Sequence, residues 1–333
     1  MSTLPSLLVI GTGGTIAGAG ASPELSTRYQ AAQVPVQAVA AAVPGLEARA
    51  ALRVAQPVQK ASYEIDSADW QAIRAAVLAG LADPALAGVV ITHGTDTLEE
   101  TAFWLHHSVA DPRPVVLTGA MRPGTAHSPD GPANVFNATM VALSPQARNR
   151  GTLVVMNERI HSAAFVGKRH FASVQAFDSG SAGELGSVAD GVARFHGDAD
   201  PRTTGRTVLT PAAGQALPRV PIVTGHAGLD GLTLQAVIDT RPDGLVLAGT
   251  GNGNLPAALR PMIAAAVARG IVVVRASRGL EGVITRDSPM FDDSALGTLT
   301  AGRLPPAKAR VLLMLMLASG VAADRRQALL DAA

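Results

Sequence analysis

Two hydroxyls, Thr12 and Thr15, sit in Gly11-Thr-Gly-Gly-Thr-Ile-Ala-Gly18, directly after the apolar run Leu7-Leu8-Val9-Ile10. A β-branched run that empties into glycines reads as a buried strand ending in a loop that lies close to something else. Open α/β sheets put their ligands at such carboxyl ends. Glycines there remove bulk, so that a ligand can reach main-chain N–H donors. Nucleotide binding does not fit: G-x-G-x-x-G needs glycine where Ile16 stands, and no P-loop lysine follows. A glycine-lined pocket that presents threonine hydroxyls points to acyl rather than phosphate chemistry.

A second strand candidate, Val89–Thr92, ends in Thr92-His-Gly-Thr-Asp-Thr97 and runs into a helix. Small and polar residues facing a helix N-terminus make a carboxylate or anion site. Thr97 also reads as an N-cap and Asp96 as an acid complementing the helix dipole. Capping needs one such residue, and this segment offers four. Lys168, in Val166-Gly-Lys-Arg-His170, is either part of a solvated basic loop or a base brought beside Thr95 and Asp96. Spacing leaves both open. Gly249-Thr-Gly-Asn-Gly-Asn254 is either a tight turn or a source of ligand-facing amides from Asn252 and Asn254. Ser277-Arg278 occupies the same kind of position, whereas Gly119–Pro123 and Ser128–Asn134 read as polar turns with an N-cap.

These loops need strands to hold them. Candidates recur at Leu7–Ile10, Val89–Thr92, Val115–Thr118, Leu153–Met156, Ile222–Thr224, Leu245–Ala248 and Ile271–Arg275. Thr97-Leu-Glu-Glu100 has the form of a capping box, with Leu98, Ala102, Leu105 and Val109 on one helical face. Leu255–Gly270 and Lys308–Ser319 read as further helices. The alternation predicts an α/β fold with two domains: a larger, mostly parallel, doubly wound sheet with flanking helices, then a smaller α/β domain. Proline, glycine and threonine without apolar periodicity over Asp198–Arg219 mark the junction. The expected division is residues 1–205, a linker at 206–219, and 220–333. The irregular stretch Ala19–Arg28, with Tyr29 at its end, reads as a lid.

Composition excludes several classes. The 333 residues carry a net charge of +1 and no basic block, so neither nucleic acid nor an anionic membrane is an expected partner. The absence of cysteine removes thiol nucleophiles and thiolate metal sites. Eight histidines are scattered without ligand spacing, and no dedicated metal site is expected. The apolar stretch Val311–Leu317 is far short of the ~20 residues that span a bilayer. The expectation is a soluble protein that stays in the cytoplasm, or a periplasmic one if a leader has been removed.

Taken together, the first glycine-threonine loop, Thr-His-Gly-Thr-Asp-Thr97 and Gly119-Ala-Met-Arg-Pro123 resemble the bacterial L-asparaginase/glutaminase family, type II-like in length. Val154-Val-Met-Asn157, Gly251-Asn-Gly-Asn254 and Lys308-Ala-Arg-Val-Leu-Leu313 extend the resemblance through nearly the whole chain. The resemblance implies hydrolysis of L-asparagine to L-aspartate and ammonia with no cofactor; the expectation of weak or no glutaminase activity comes from the two departures described below. It implies Thr15 as nucleophile, Tyr29 as the lid tyrosine that activates it, and Thr95, Asp96 and Lys168 as the second catalytic group. Ser62 and Asp96 would hold the amino-acid head group, and Asn254 would reach a neighbouring subunit's site in a dimer of dimers.

Two positions depart from the family pattern. Tyr63 stands where glutamine is common, and its larger ring can narrow the substrate-binding pocket. The family's intersubunit carboxylate falls near Pro289 or Met290, neither of them acidic, with Glu281 and Asp287 the nearest candidates. The residues leave open whether Thr15 or Thr95 is the nucleophile. Two alternatives stand beside the asparaginase reading: a non-catalytic amino-acid sensor on the same scaffold, and an amidase for a related amide.

Overall fold

The structure, a computed structural model, describes residues 4–24, 26–198, 206–212, 214–279 and 281–333. The chain divides into two compact units, Met1–Gly205 and Arg206–Ala333. The proposed boundary at residue 205 lies outside the described residues. The described part of 206–219 carries no regular element.

The first unit is an eight-stranded sheet. In spatial order its strands are Val192–Phe195, Gly186–Ala189, Arg159–Ser162, Thr152–Met156, Val115–Thr118, Leu86–Thr92, Ser6–Gly11 and Ala51–Ala55. The last five of these run parallel, and the first three are added antiparallel at one edge. The chain begins on Ser6–Gly11, goes outward to Ala51–Ala55, then crosses back to Leu86–Thr92 and continues the other way. That reversal is the topological switch point of a doubly wound sheet. It puts the ends of Ser6–Gly11 and Leu86–Thr92 side by side, one strand spacing apart.

Both faces of the sheet are covered, which is why its central strands read as unbroken apolar runs. Leu7, Val9, Val90, Val116, Leu153 and Val155 share one buried cluster with Ala138, Val141 and Ala142 of the helix Gly131–Leu143. Leu8 points the other way, toward the helix Ser67–Leu81, so closely that a methyl at Gly80 would sit 2.4 Å from its Cδ2. The edge strands Ala51–Ala55, Gly186–Ala189 and Val192–Phe195 are partly exposed and lack that signature, so periodicity missed them.

The capping box lies elsewhere than the sequence suggested. Asp66 and Asp69 form one at the start of Ser67–Leu81, with the Asp66 side chain accepting from the Ala68 and Asp69 amides. Thr97 does occupy the N-cap position of Leu98–Ser108, but its hydroxyl makes no capping bond. It donates instead to the Ser62 carbonyl at 2.7 Å, because a neighbouring turn is packed against it.

The second unit holds four parallel strands in chain order: Ile222–Thr224, Gly244–Gly249, Val272–Ser277 and Leu299–Thr300. Its core gathers Val223, Leu245, Leu247 and Val273 with Leu234, Ile238 and Ile263 from the helices Gly231–Asp239 and Arg260–Ala268. The expected helix from Leu255 is shorter than predicted: a 3-10 turn at Ala257–Leu259 precedes it, and Pro261 rather than Pro256 lies in its first turn. Pro306–Ala318 covers the predicted C-terminal helix. Among the described residues, no helix is long and apolar enough to cross a membrane.

Candidate active site

The loops that follow Ser6–Gly11 and Leu86–Thr92 meet backbone to backbone. Gly14 has φ 78° and ψ −167°, a region open essentially to glycine alone. A methyl there would lie 2.2 Å from the Gly94 Cα, and one at Gly94 would lie 2.8 Å from Ser62 Cβ. Gly14, Gly94 and Ser62 therefore pack without intervening side chains. Thr15 follows Gly14, and Thr95 and Asp96 follow Gly94, on the two loops that this packing brings together.

Thr15 opens a 3-10 turn, Thr15–Ala17, and is 7% exposed. Its Oγ1 lies 2.6 Å from the Tyr29 hydroxyl. Tyr29 stands on a two-residue strand paired with Ala19–Gly20, which closes the 19–30 segment on itself. Thr12, by contrast, turns inward. Its hydroxyl donates to the Thr92 carbonyl at 3.0 Å, and the residue is fully buried. Of the two threonines expected to face a ligand, Thr12 still belongs to the sheet ladder.

Lys168 joins the same cluster from the Gly167–Lys168 strand, which pairs with Phe177–Asp178. Its Nζ donates to Thr95 Oγ1 at 2.9 Å and to Asp96 Oδ1 at 2.6 Å. The lysine side chain is 14% exposed and the Asp96 side chain 56% exposed, so the pair has one buried and one open end. The solvated-loop reading of Lys168 is not the one the fold adopts. Glu99 fixes the lysine's main chain by accepting its amide hydrogen bond. In the sequence that glutamate stood only within the expected capping box Thr97-Leu-Glu-Glu100, because nothing there announces a partner 69 residues away. Ser62 braces the cluster: its Oγ accepts from the Asp96 amide at 3.1 Å. Tyr63 follows it, 71% exposed.

A buried chain of hydrogen bonds lies under this loop. Trp70 Nε1 donates to Thr101 Oγ1 at 2.9 Å, and Thr101 lies 2.9 Å from His93 Nε2. His93 Nδ1 lies 2.7 Å from the Gly94 carbonyl, which can only accept. The imidazole proton therefore sits on Nδ1, and Nε2 receives the threonine hydroxyl. Burial lowers the His93 pKa to about 4, and the Gly94 bond only partly offsets this. The ring is a neutral brace for Gly94.

The polar loops at 119–123 and 128–134 hold one another. The Asp130 carboxylate accepts from the Met121 and Arg122 amides, and Asn134 bonds the Gly119 carbonyl and the Asn157 amide. Asn254 belongs to the second unit. There Asn252 is spent internally, its Oδ1 accepting from the Thr285 amide at 2.8 Å. Among the described residues, Asn254 Oδ1 is buried without a hydrogen-bond partner. Ser277 and Arg278 bond the Gly251 and Gly225 carbonyls. Asp287 accepts from the Ser294 amide and hydroxyl, which lower its pKa and commit it within its own unit.

The family model "Asparaginase, N-terminal" matches residues 6–200, and "Glutaminase/Asparaginase C-terminal domain" matches residues 219–330. The chain belongs to the asparaginase family. It is 38% identical to L-asparaginase 2 of Bacillus subtilis over 314 residues, 94% of this chain and 83% of the relative. It is 38% identical over 315 residues to the glutaminase-asparaginase of Acinetobacter glutaminasificans, 94% of this chain and 95% of that one. The crystal structure of a protein described as "Probable Cytoplasmic L-asparaginase", from Campylobacter jejuni, superposes with a TM-score of 0.92 at 33% identity, covering 99% of both chains.

Within this asparaginase-family fold, Gly14→Ala should remove nearly all activity and cost more than about 2 kcal/mol of stability, read by initial rates and the urea midpoint. A variant that keeps both would mean the two loops tolerate separation. The His93 environment predicts a pH effect with a definite sign. The folded ring stays neutral to about pH 4, whereas the unfolded ring titrates near 6.5. Between those values the unfolded chain binds the extra proton, so stability is complete above about pH 6.5 and declines toward pH 4, by about 3 kcal/mol. Urea midpoints over that range should fall more steeply in the wild type than in His93→Gln.

Proposed function

We propose that this protein hydrolyses L-asparagine to L-aspartate and ammonia through a threonyl ester. The observation that carries the reading is the position of Lys168 Nζ, within hydrogen-bond reach of both Thr95 Oγ1 and Asp96 Oδ1. A hydroxyl, an amine and a carboxylate in that order can take up and pass on the proton that amide hydrolysis releases from a threonine or from water. Thr15 with Tyr29 supplies a second activated hydroxyl in the same cluster.

Thr15 Oγ1 attacks the side-chain amide carbon while its proton passes to the Tyr29 oxygen, which hands its own hydroxyl proton on toward the leaving nitrogen, or passes by relay to Lys168. The carbon–nitrogen bond breaks and the departing nitrogen takes a proton, leaving as ammonia. Water then attacks the ester, with Thr95 and Lys168 receiving its proton. The ester bond breaks, Thr15 recovers its hydrogen, and aspartate leaves. Asp96 and Ser62 hold the amino-acid head group, so that the reacting carbonyl is placed before the chemistry begins. The rival assignment makes Thr95 the nucleophile and Lys168 its direct base; the 2.9 Å contact between them favours it as the second reading.

Specificity is assigned to the end of the pocket beside Ser62. Tyr63 adds a stiff ring where a shorter substrate fits better, and one methylene is worth about 10- to 200-fold in such a pocket. The working form is proposed to be a homotetramer, a dimer of dimers, in which Asn254 serves a neighbouring chain. The proposed compartment is the cytoplasm, the location in the Campylobacter protein's description.

Ammonia release should be faster from L-asparagine than from L-glutamine by at least about tenfold in kcat/KM, and Tyr63→Gln should narrow the gap. Silence toward L-asparagine, or recovery of bound L-asparagine unchanged, would favour the sensor instead. Acid quenching during turnover, followed by peptide mass spectrometry, should find the aspartyl adduct on the Thr15 peptide. An adduct on the Thr95 peptide would reverse the assignment. Lys168→Met should lower kcat far more than it raises KM, and the opposite pattern would make Lys168 a binding residue.

A further inference from the structure

The second unit buries a complete ion pair. Arg275, on the strand Val272–Ser277, and Asp293, at the start of the short helix Asp293–Leu296, are both 0% exposed. Nε donates to Oδ1 at 2.9 Å and Nη2 to Oδ2 at 2.6 Å, a bidentate pair. The guanidinium reaches further. Nη1 donates to the Asn252 carbonyl at 2.5 Å and Nη2 to the Thr285 carbonyl at 2.9 Å, while Cζ lies 4.8 Å from the centre of the Phe291 ring. Asp293 in turn accepts from the Thr298 hydroxyl at 2.8 Å.

One side chain thus ties three segments: the Thr250–Asn254 turn, the stretch around Thr285, and the helix at Asp293. The turn is shaped for it. Gly253 has φ 73°, and a methyl there would lie 2.9 Å from Arg275 Nη1. Its ends are closed by the Thr250 and Asn254 amides, each donating to the other residue's carbonyl at 3.0 and 2.7 Å. Asn254 emerges from this locked turn with a buried Oδ1 that has no partner among the described residues.

A buried ion pair is a poor source of stability, because well-packed apolar residues of similar volume serve as well or better. An apolar pair cannot, however, fix two carbonyls on separate loops. We propose that Arg275 and Asp293 are positioning residues for substrate binding: they hold the Thr250–Asn254 turn so that the Asn254 amide meets the polar head group of an amino-acid substrate. This rests on the asparagine-hydrolysing reading above.

The test compares L-asparagine kinetics in the full-length wild type, Arg275→Met/Asp293→Leu, Asn254→Ala and all three changes combined, with thermal melts for each. The double variant loses the donors to the Asn252 and Thr285 carbonyls, so it should fold but melt a few degrees below the wild type, and show a KM raised about tenfold with kcat within about twofold. Asn254→Ala should raise KM by the same factor, and the combined variant no further, since both changes remove one interaction. Arg275→Lys keeps the charge beside Asp293 but has one nitrogen for four acceptors, and should raise KM in the same direction. An unchanged KM in the folded double variant or in Arg275→Lys would overturn the proposal. So would KM effects that multiply in the combined variant. A wild type inert toward L-asparagine would overturn the hydrolase reading itself, an outcome distinct from either.

Discussion

The contact between the Gly14 and Gly94 backbones governs the rest of the first unit's site. Two parallel strands at a switch point end one strand spacing apart, and ordinary side chains on their loops would hold the main chains apart. Glycine in both loops lets the chains touch, and the 2.2 Å approach that a methyl at Gly14 would make measures how little room there is. Thr15 and Thr95 each follow one of the two glycines that touch, and that approach is open because neither glycine carries a Cβ. Ser62 then seats against Gly94 and receives the Asp96 amide, so the aspartate's position follows from the same packing.

Most polar side chains around this site are structural. Thr12 bonds the Thr92 carbonyl, Thr97 the Ser62 carbonyl, and Asp130 two amides of the 119–123 loop. Strand-end loops expose main-chain groups that the sheet does not satisfy, and these side chains satisfy them. The groups left for chemistry are those whose polar atoms meet one another: Thr15 with Tyr29, and Lys168 with Thr95 and Asp96.

Each unit also carries an interior polar group that sets a loop from beneath. In the first it is neutral His93, which takes the Thr101 hydroxyl and gives its proton to the Gly94 carbonyl. In the second it is Arg275, paired with Asp293 and bonded to the Asn252 carbonyl. Their charge states differ for a physical reason. Among the described residues no acid offsets the burial of the histidine, which stays neutral, whereas Arg275 is buried against the Asp293 carboxylate, which matches its charge.

The sequence alone determined the α/β class, the parallel core strands and the loops that hold Thr15 and Thr95. Unbroken apolar runs ending in glycine and threonine are local signals, set by burial on both faces of the sheet. It did not reveal the exposed edge strands, whose apolar signal is weak, or the capping box at Asp66, which it assigned to Thr97. Nor did it separate Thr12 from Thr15, Asn252 from Asn254, or a solvated Lys168 from one bonded to Thr95. In each case identical or ambiguous residue types differ only in which distant group they meet: Thr92 for one threonine, Tyr29 for the other, Thr285 for one asparagine, none for the other's Oδ1. Those partners lie from 14 to 80 residues away along the chain. Only packing brings them together, because hydrogen bonds are short-range and directional and local sequence spacing carries no trace of them.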